Sequence, residues 1–126
     1  VRAVVDSMLF IDEAPLPAPV RGSAAFAQVF ASRGQRDDNG RSLRDLDLRR
    51  RLFRYPCSYL IESAIFDDLP AAARDAVFER LWAVLSGREK SATYARLSAM
   101  DRLATVEILR ATKKDLPGYF WGKVDR

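Results

Sequence analysis

Histidine is absent from this 126-residue chain, which removes the commonest general base, the commonest metal ligand and every Ser-His or Cys-His nucleophile pair. Cysteine occurs once, at Cys57, so no internal disulfide can form. A zinc cluster or a haem-attachment sequence is likewise impossible. The six glycines are scattered and none precedes a Lys-Ser or Lys-Thr pair, which excludes a phosphate-cradling loop of the P-loop kind. Long hydrophobic runs are missing too. Charged residues interrupt every apolar stretch well before the roughly 18 residues that a bilayer crossing needs, so a membrane span is excluded.

What remains is ordinary globular usage, with 48% apolar and 30% charged residues. A chain of this length suits one hydrophobic core, and no strand pattern competes with helical periodicity. The fold class expected is therefore all-α: an irregular bundle of four to six helices, with a proline kink near residue 56, forming a single domain over 1–126.

Val1, Val4, Val5, Met8 and Leu9 fall on one helical face. With nothing ahead of Val1 to cap it, residues 1–10 read as the end of a longer upstream helix. Residues 12–19, with Pro15, Pro17 and Pro19 at alternate positions, read as an extended connection. Ser23 can cap a short helix carrying Phe26, Val29 and Phe30, ended by Gly34. The turn around Asp37, Asp38, Asn39 and Gly40 invites a calcium reading, but an EF-hand register would begin at Gln35 and end at Leu46, both unsuitable as acidic ligands. Ser42 with Asp45 resembles a capping box and opens an expected helix through Tyr55. Pro56 kinks it before a second helix, Cys57 to Phe66, with Cys57, Leu60, Ile61, Ala64 and Ile65 aligned. The Asp67 to Pro70 joint turns this into an antiparallel partner, Pro70 to Ser86, whose core face is Val77, Phe78, Leu81, Trp82 and Leu85. Ser98 with Asp101 caps the last long helix, which carries Leu103, Val106, Ile108 and Leu109, with Lys113 and Lys114 at its negative end. The aromatic tail Tyr119-Phe120-Trp121 is expected to fold back and close one end.

Charge is distributed unevenly. Between Arg33 and Arg54 lie eight arginines and four aspartates, and this excess equals the formal net charge of +4. On the expected helix Arg44, Arg50, Arg51 and Arg54 share one broad side, a geometry able to engage an acidic partner or polyanion. Asp47 sits within that stripe and can pair with Arg51, as Asp45 can with Arg49, and no aromatic is interleaved to stack bases. The leading reading is thus a solvated or internally paired arginine face, followed by contact with an acidic protein or lipid, with nucleic acid last. Glu62, Asp67, Asp68 and Glu79 lie near the kinked pair and could form an acid–base dyad, although surface carboxylates are usually solvated. Cys57 on an apolar face reads as inert packing. No catalytic, cofactor-binding or metal-binding residue is assigned.

The stretches Arg41-Ser42-Leu43-Arg44-Asp45-Leu46-Asp47-Leu48, Leu52 to Ile61, Arg80-Leu81-Trp82 and Leu97-Ser98, with Phe10 and Glu13-Ala14-Pro15-Leu16, resemble the closing part of a group of long, uncharacterised bacterial proteins. That resemblance covers nearly the whole chain. It implies a C-terminal module following a larger N-terminal part, in proteins that are often exported, with periplasmic or other export favoured over the cytoplasm. It brings no activity and no functional residues. The function expected is a non-catalytic structural or protein-interaction module, with an upstream domain of the same polypeptide or a second copy held through the first helix as partner. The alternative is a basic module that binds an acidic partner through residues 33–54.

Overall fold

The computed structural model describes the chain except Asp12, Pro15, residues 19–23 and Arg50. The Ser23 cap, two prolines of the connection and one arginine of the stripe therefore lie outside the described residues. The architecture is all-α, with five α-helices among the described residues: α1 (Arg2–Met8), α2 (Ala24–Ser32), α3 (Ala64–Asp67), α4 (Ala71–Leu85) and α5 (Ala99–Thr112). Short 3₁₀ turns at Tyr59–Glu62, Ala92–Tyr94 and Gly118–Trp121 complete it. Among the described residues no strand forms, and one isolated antiparallel bridge pairs Leu46 with Phe53.

Helices α4 and α5 build the centre. Val77, Phe78, Leu81, Trp82 and Leu85 are all buried, as the 3.6-residue spacing requires, and Val106, Ile108 and Leu109 meet them from α5. Ser98 caps α5 by accepting the Asp101 amide at 3.0 Å, so the sequence signal at that end is realised. Leu103 departs from the expected face and is exposed. The aromatic tail does fold back: Phe120 is fully buried, edge-on to Phe78 at 5.9 Å and against Trp82 at 5.2 Å. Arg110 clamps it there, donating to the carbonyls of Phe120 and Gly122 at 2.6 and 2.7 Å.

Helix α1 packs on α4. Val5 and Leu9 enter the core, while Val1 and Val4 of the expected apolar face stay exposed. The helix ends with Phe10 at φ 56°, where the Phe10 amide bonds the Ser7 carbonyl and the Ile11 amide bonds the Asp6 carbonyl. That is a Schellman closure with phenylalanine in the place glycine usually takes. The ring offsets some of the strain by stacking on Phe53, 5.4 Å away and 2° from parallel. A polar tie adds to the docking: the Tyr94 hydroxyl donates to Asp6 at 2.5 Å and accepts from Arg80 at 2.6 Å, joining α1, α4 and the following turn.

The expected helix from Ser42 to Tyr55 is absent. Asp45 does accept the Ser42 amide at 3.0 Å, as a capping box would, but the chain then turns and doubles back. Asp47 accepts the Arg49 amide, Leu48 takes φ 64°, and the Asp47 and Arg54 amides bond to the carbonyls of Leu52 and Asp45 across the turn. Aspartates that capture nearby backbone amides offer the chain an alternative to helix, and this doubling carries Phe53 into an aromatic cluster with Phe10, Phe30 and Tyr59.

Pro56 accordingly lies buried in irregular chain and not at a kink between two helices. The second expected helix, Cys57 to Phe66, is divided as well. Ser58 accepts the Leu60 amide and opens a 3₁₀ turn; Ser63, in extended conformation, accepts the Phe66 amide and opens the single turn of α3. Cys57, Ile61 and Phe66 are buried, whereas Leu60 and Ile65, expected in the core, face outward. With α3 this short, the antiparallel pair expected before Pro70 does not form.

Candidate interaction surfaces

The four arginines singled out as one stripe are not presented together. Arg44 is enclosed by aromatic faces, its guanidinium carbon 4.6 Å from the Phe30 ring centre and 4.4 Å from that of Tyr59. Cation–π attraction there serves the fold. Arg50 lies outside the described residues. Arg51 and Arg54 do line a common cleft, together with Arg41 and Arg49. The sequence pattern missed Arg49 because on the expected Ser42–Tyr55 helix it points elsewhere, and Arg41 because it precedes that helix. Aromatics do accompany the segment: Phe53 comes from within it, and it is joined by Phe10 after α1, Phe30 of α2 and Tyr59 of the 59–62 turn, which no local pattern reveals.

That cleft, of about 590 Å³, lies between the 46–55 segment and the start of α5. Arg41 is firmly held, its Nε 2.7 Å from Asp37 and its Nη2 3.2 Å from Glu107. Burial would raise the Asp37 pKa, but the Arg41 amide, the Arg41 guanidinium and the Asn39 amide all donate to this carboxylate and keep it lowered. The Asp37 carboxylate of this turn is thus engaged by its own chain. Arg51 sits 3.4 Å from Asp101 and 3.9 Å from Asp47. The Asp47–Arg51 pair was expected. The Asp45–Arg49 pair is not made, since Asp45 pairs with Arg36 at 3.2 Å.

A second cleft, of about 430 Å³, gathers Glu62, Asp67, Thr112, Lys113 and Asp115. It brings together two of the four carboxylates considered for acid–base work and leaves out Asp68 and Glu79. Thr112 donates to Glu62 at 2.5 Å, and the Lys113 ammonium, almost buried, bonds Asp67 at 2.5 Å and Asp115 at 3.1 Å. Burial raises the Glu62 pKa against the opposing pull of Thr112, Lys113 and Arg44. Glu62, Asp67, Thr112, Lys113 and Asp115 each already have a partner within the protein, so the arrangement works as a polar joint between α3 and the end of α5. Cys57 is fully buried and its thiol is pushed up to about 12, chiefly by burial and then by Glu62. It stays a thiol at neutral pH.

The third surface is apolar. A groove of about 400 Å³ runs between the end of α1 and the 58–69 segment, lined by Met8, Phe10, Leu60, Ile65, Phe66 and Leu69 with three serines. Ile65 is 77% exposed, Leu60 51% and Val4 53%. Val4 stands three and four residues before Ser7 and Met8 of the groove wall, hence on the same helical side, and Val1 precedes it by three. The apolar stripe therefore runs continuously from Val1 into the groove.

Among the described residues no three Cys, Asp or Glu side chains converge as a metal site. Among the described residues no helix is long and apolar enough to cross a membrane. Compared with known protein families, curated proteins and solved structures, the chain matches none.

Proposed function

We propose that this chain is a non-catalytic helical module of a larger bacterial protein, and that it works by packing its apolar stripe against a second copy of itself. The observation that carries this reading is the continuity of exposed Val1, Val4, Leu60 and Ile65 along one side, joined by partly buried Met8. Burying a fully exposed side chain of this kind is worth roughly 1.5 to 3 kcal/mol and the half-exposed Val4 and Leu60 gain about half as much, and contiguous exposed apolar surface is where proteins meet. A stripe beside a groove suits an isologous pair, in which the valines of one copy cover Ile65 of the other and are covered in return.

Light scattering over a dilution series tests the reading. The expected result is a mass that approaches twice the chain mass as concentration rises, and a dissociation constant raised at least tenfold by Ile65→Glu, whose side chain already faces water in the monomer. A mass equal to one chain at every concentration up to the millimolar range, or an Ile65→Glu variant that still pairs normally, would contradict it.

A further inference from the structure

Beyond that packing role, we infer that the arginine cleft is a binding site for a small molecule that carries a phosphate group on an apolar body. Its charged lining consists of Arg41, Arg49, Arg51 and Arg54 against Asp47 and Asp101; with Arg41 neutralised by Asp37 and Glu107, the other three arginines against the two aspartates leave an excess of one positive charge. That excess draws an anionic group such as a phosphate.

The guanidinium groups differ in how fully they are engaged. Arg41 is spent on Asp37 and Glu107. Arg51 approaches Asp101 at 3.4 to 3.5 Å and Asp47 at 3.9 Å, well beyond the roughly 2.7 to 2.9 Å of a strong charge-assisted bond. Among the described residues Arg49 and Arg54 make no ion pair. Three planar forks with unused donors therefore border one space, and such forks match the oxygens of a phosphate two at a time.

The remaining wall selects the rest of the ligand. Leu46, Tyr55, Ala104 and Met100, the last 82% exposed, give the cleft an apolar side. Its volume of about 590 Å³ falls in the range of roughly 300 to 1,000 Å³ that small-molecule sites occupy. A nucleic acid would call for a basic track along the surface, whereas positive and negative residues outside the 33–54 segment balance.

Calorimetric titration at low salt with phenyl phosphate, inorganic phosphate, phenol and a short RNA tests this. Phenyl phosphate is expected to bind saturably, inorganic phosphate several-fold more weakly, and phenol not at all. The double variant Arg49→Gln/Arg54→Gln should weaken phenyl phosphate at least tenfold without lowering the melting temperature. Asp101→Asn, which removes the acid competing for Arg51, should tighten binding severalfold, while Arg88→Gln, away from the cleft, should leave it unchanged. Absence of saturable binding, an equal loss in Arg88→Gln, indifference to Asp101→Asn, or binding of the RNA alone would each overturn the proposal.

Discussion

Glu62 keeps its carboxyl in surroundings that penalise the charge, and its neighbours Thr112, Lys113 and Arg44 compensate only in part. Its folded pKa lies above the unfolded one, so the folded state holds the proton more tightly. The associated stability is fully present below the unfolded pKa and is lost as pH rises through the folded value. Glu62→Gln keeps an acceptor for Thr112 without the charge. The variant should melt higher than the native protein at pH 7, and the gap should close as pH falls through the carboxyl range. Paired thermal melts at several pH values check this, and a variant less stable at pH 7 would show that Lys113 and Arg44 outweigh burial. Single residues were legible unequally in the sequence. Cys57 as inert packing and Ser98 as a cap follow from local pattern alone. The enclosure of Arg44 does not, because Phe30 and Tyr59 reach it from segments 14 and 15 residues away on either side.

Among the elements, α4 and α5 were legible because each is long enough for its apolar periodicity to outweigh any local alternative. The 42–66 stretch was not. Its Asp45, Asp47, Ser58 and Ser63 side chains bind backbone amides in successive short turns, and such bonds compete with helix over a few residues where periodicity says little. The end of α4 offers a sharper test. Gly87 closes that helix at φ 86°, and a Cβ there would lie 2.5 Å from Nη1 of Arg102 and 3.1 Å from the Asp125 carbonyl. Arg102 from that position donates to the Leu85 carbonyl at 3.3 Å, and the Asp125 amide bonds Ser86. Gly87→Ala should thus cost about 1 to 3 kcal/mol from the left-handed conformation, and should loosen the C-terminal residues as well. Denaturant unfolding measures the first effect. A variant as stable as the native protein would mean that the α4 terminus tolerates rearrangement.

For the whole molecule, burial is concentrated on α4, α5 and Phe120 of the folded-back tail; of the apolar side chains left exposed, Val1, Val4, Leu60, Ile65 and Leu69 lie beside α1 and α3, whereas Phe26, Val29, Met100 and Trp121 are scattered elsewhere. The same division explains why sequence pattern assigned Leu60 and Ile65 to the core. On a continuous helix they would align with Ile61, but two short turns separated by Ser63 rotate them outward. The proposed packing surface between copies is this outward face, distinct from the arginine cleft on the α5 side. Amide hydrogen exchange at low and high protein concentration is the sharpest check, because it locates the contact as well as detecting it. Amides of residues 2–10 and 58–69 are expected to gain protection as concentration rises, while those of 41–55 and the first turn of α5 do not change. Uniform protection at both concentrations, or a gain confined to 41–55, would contradict that packing.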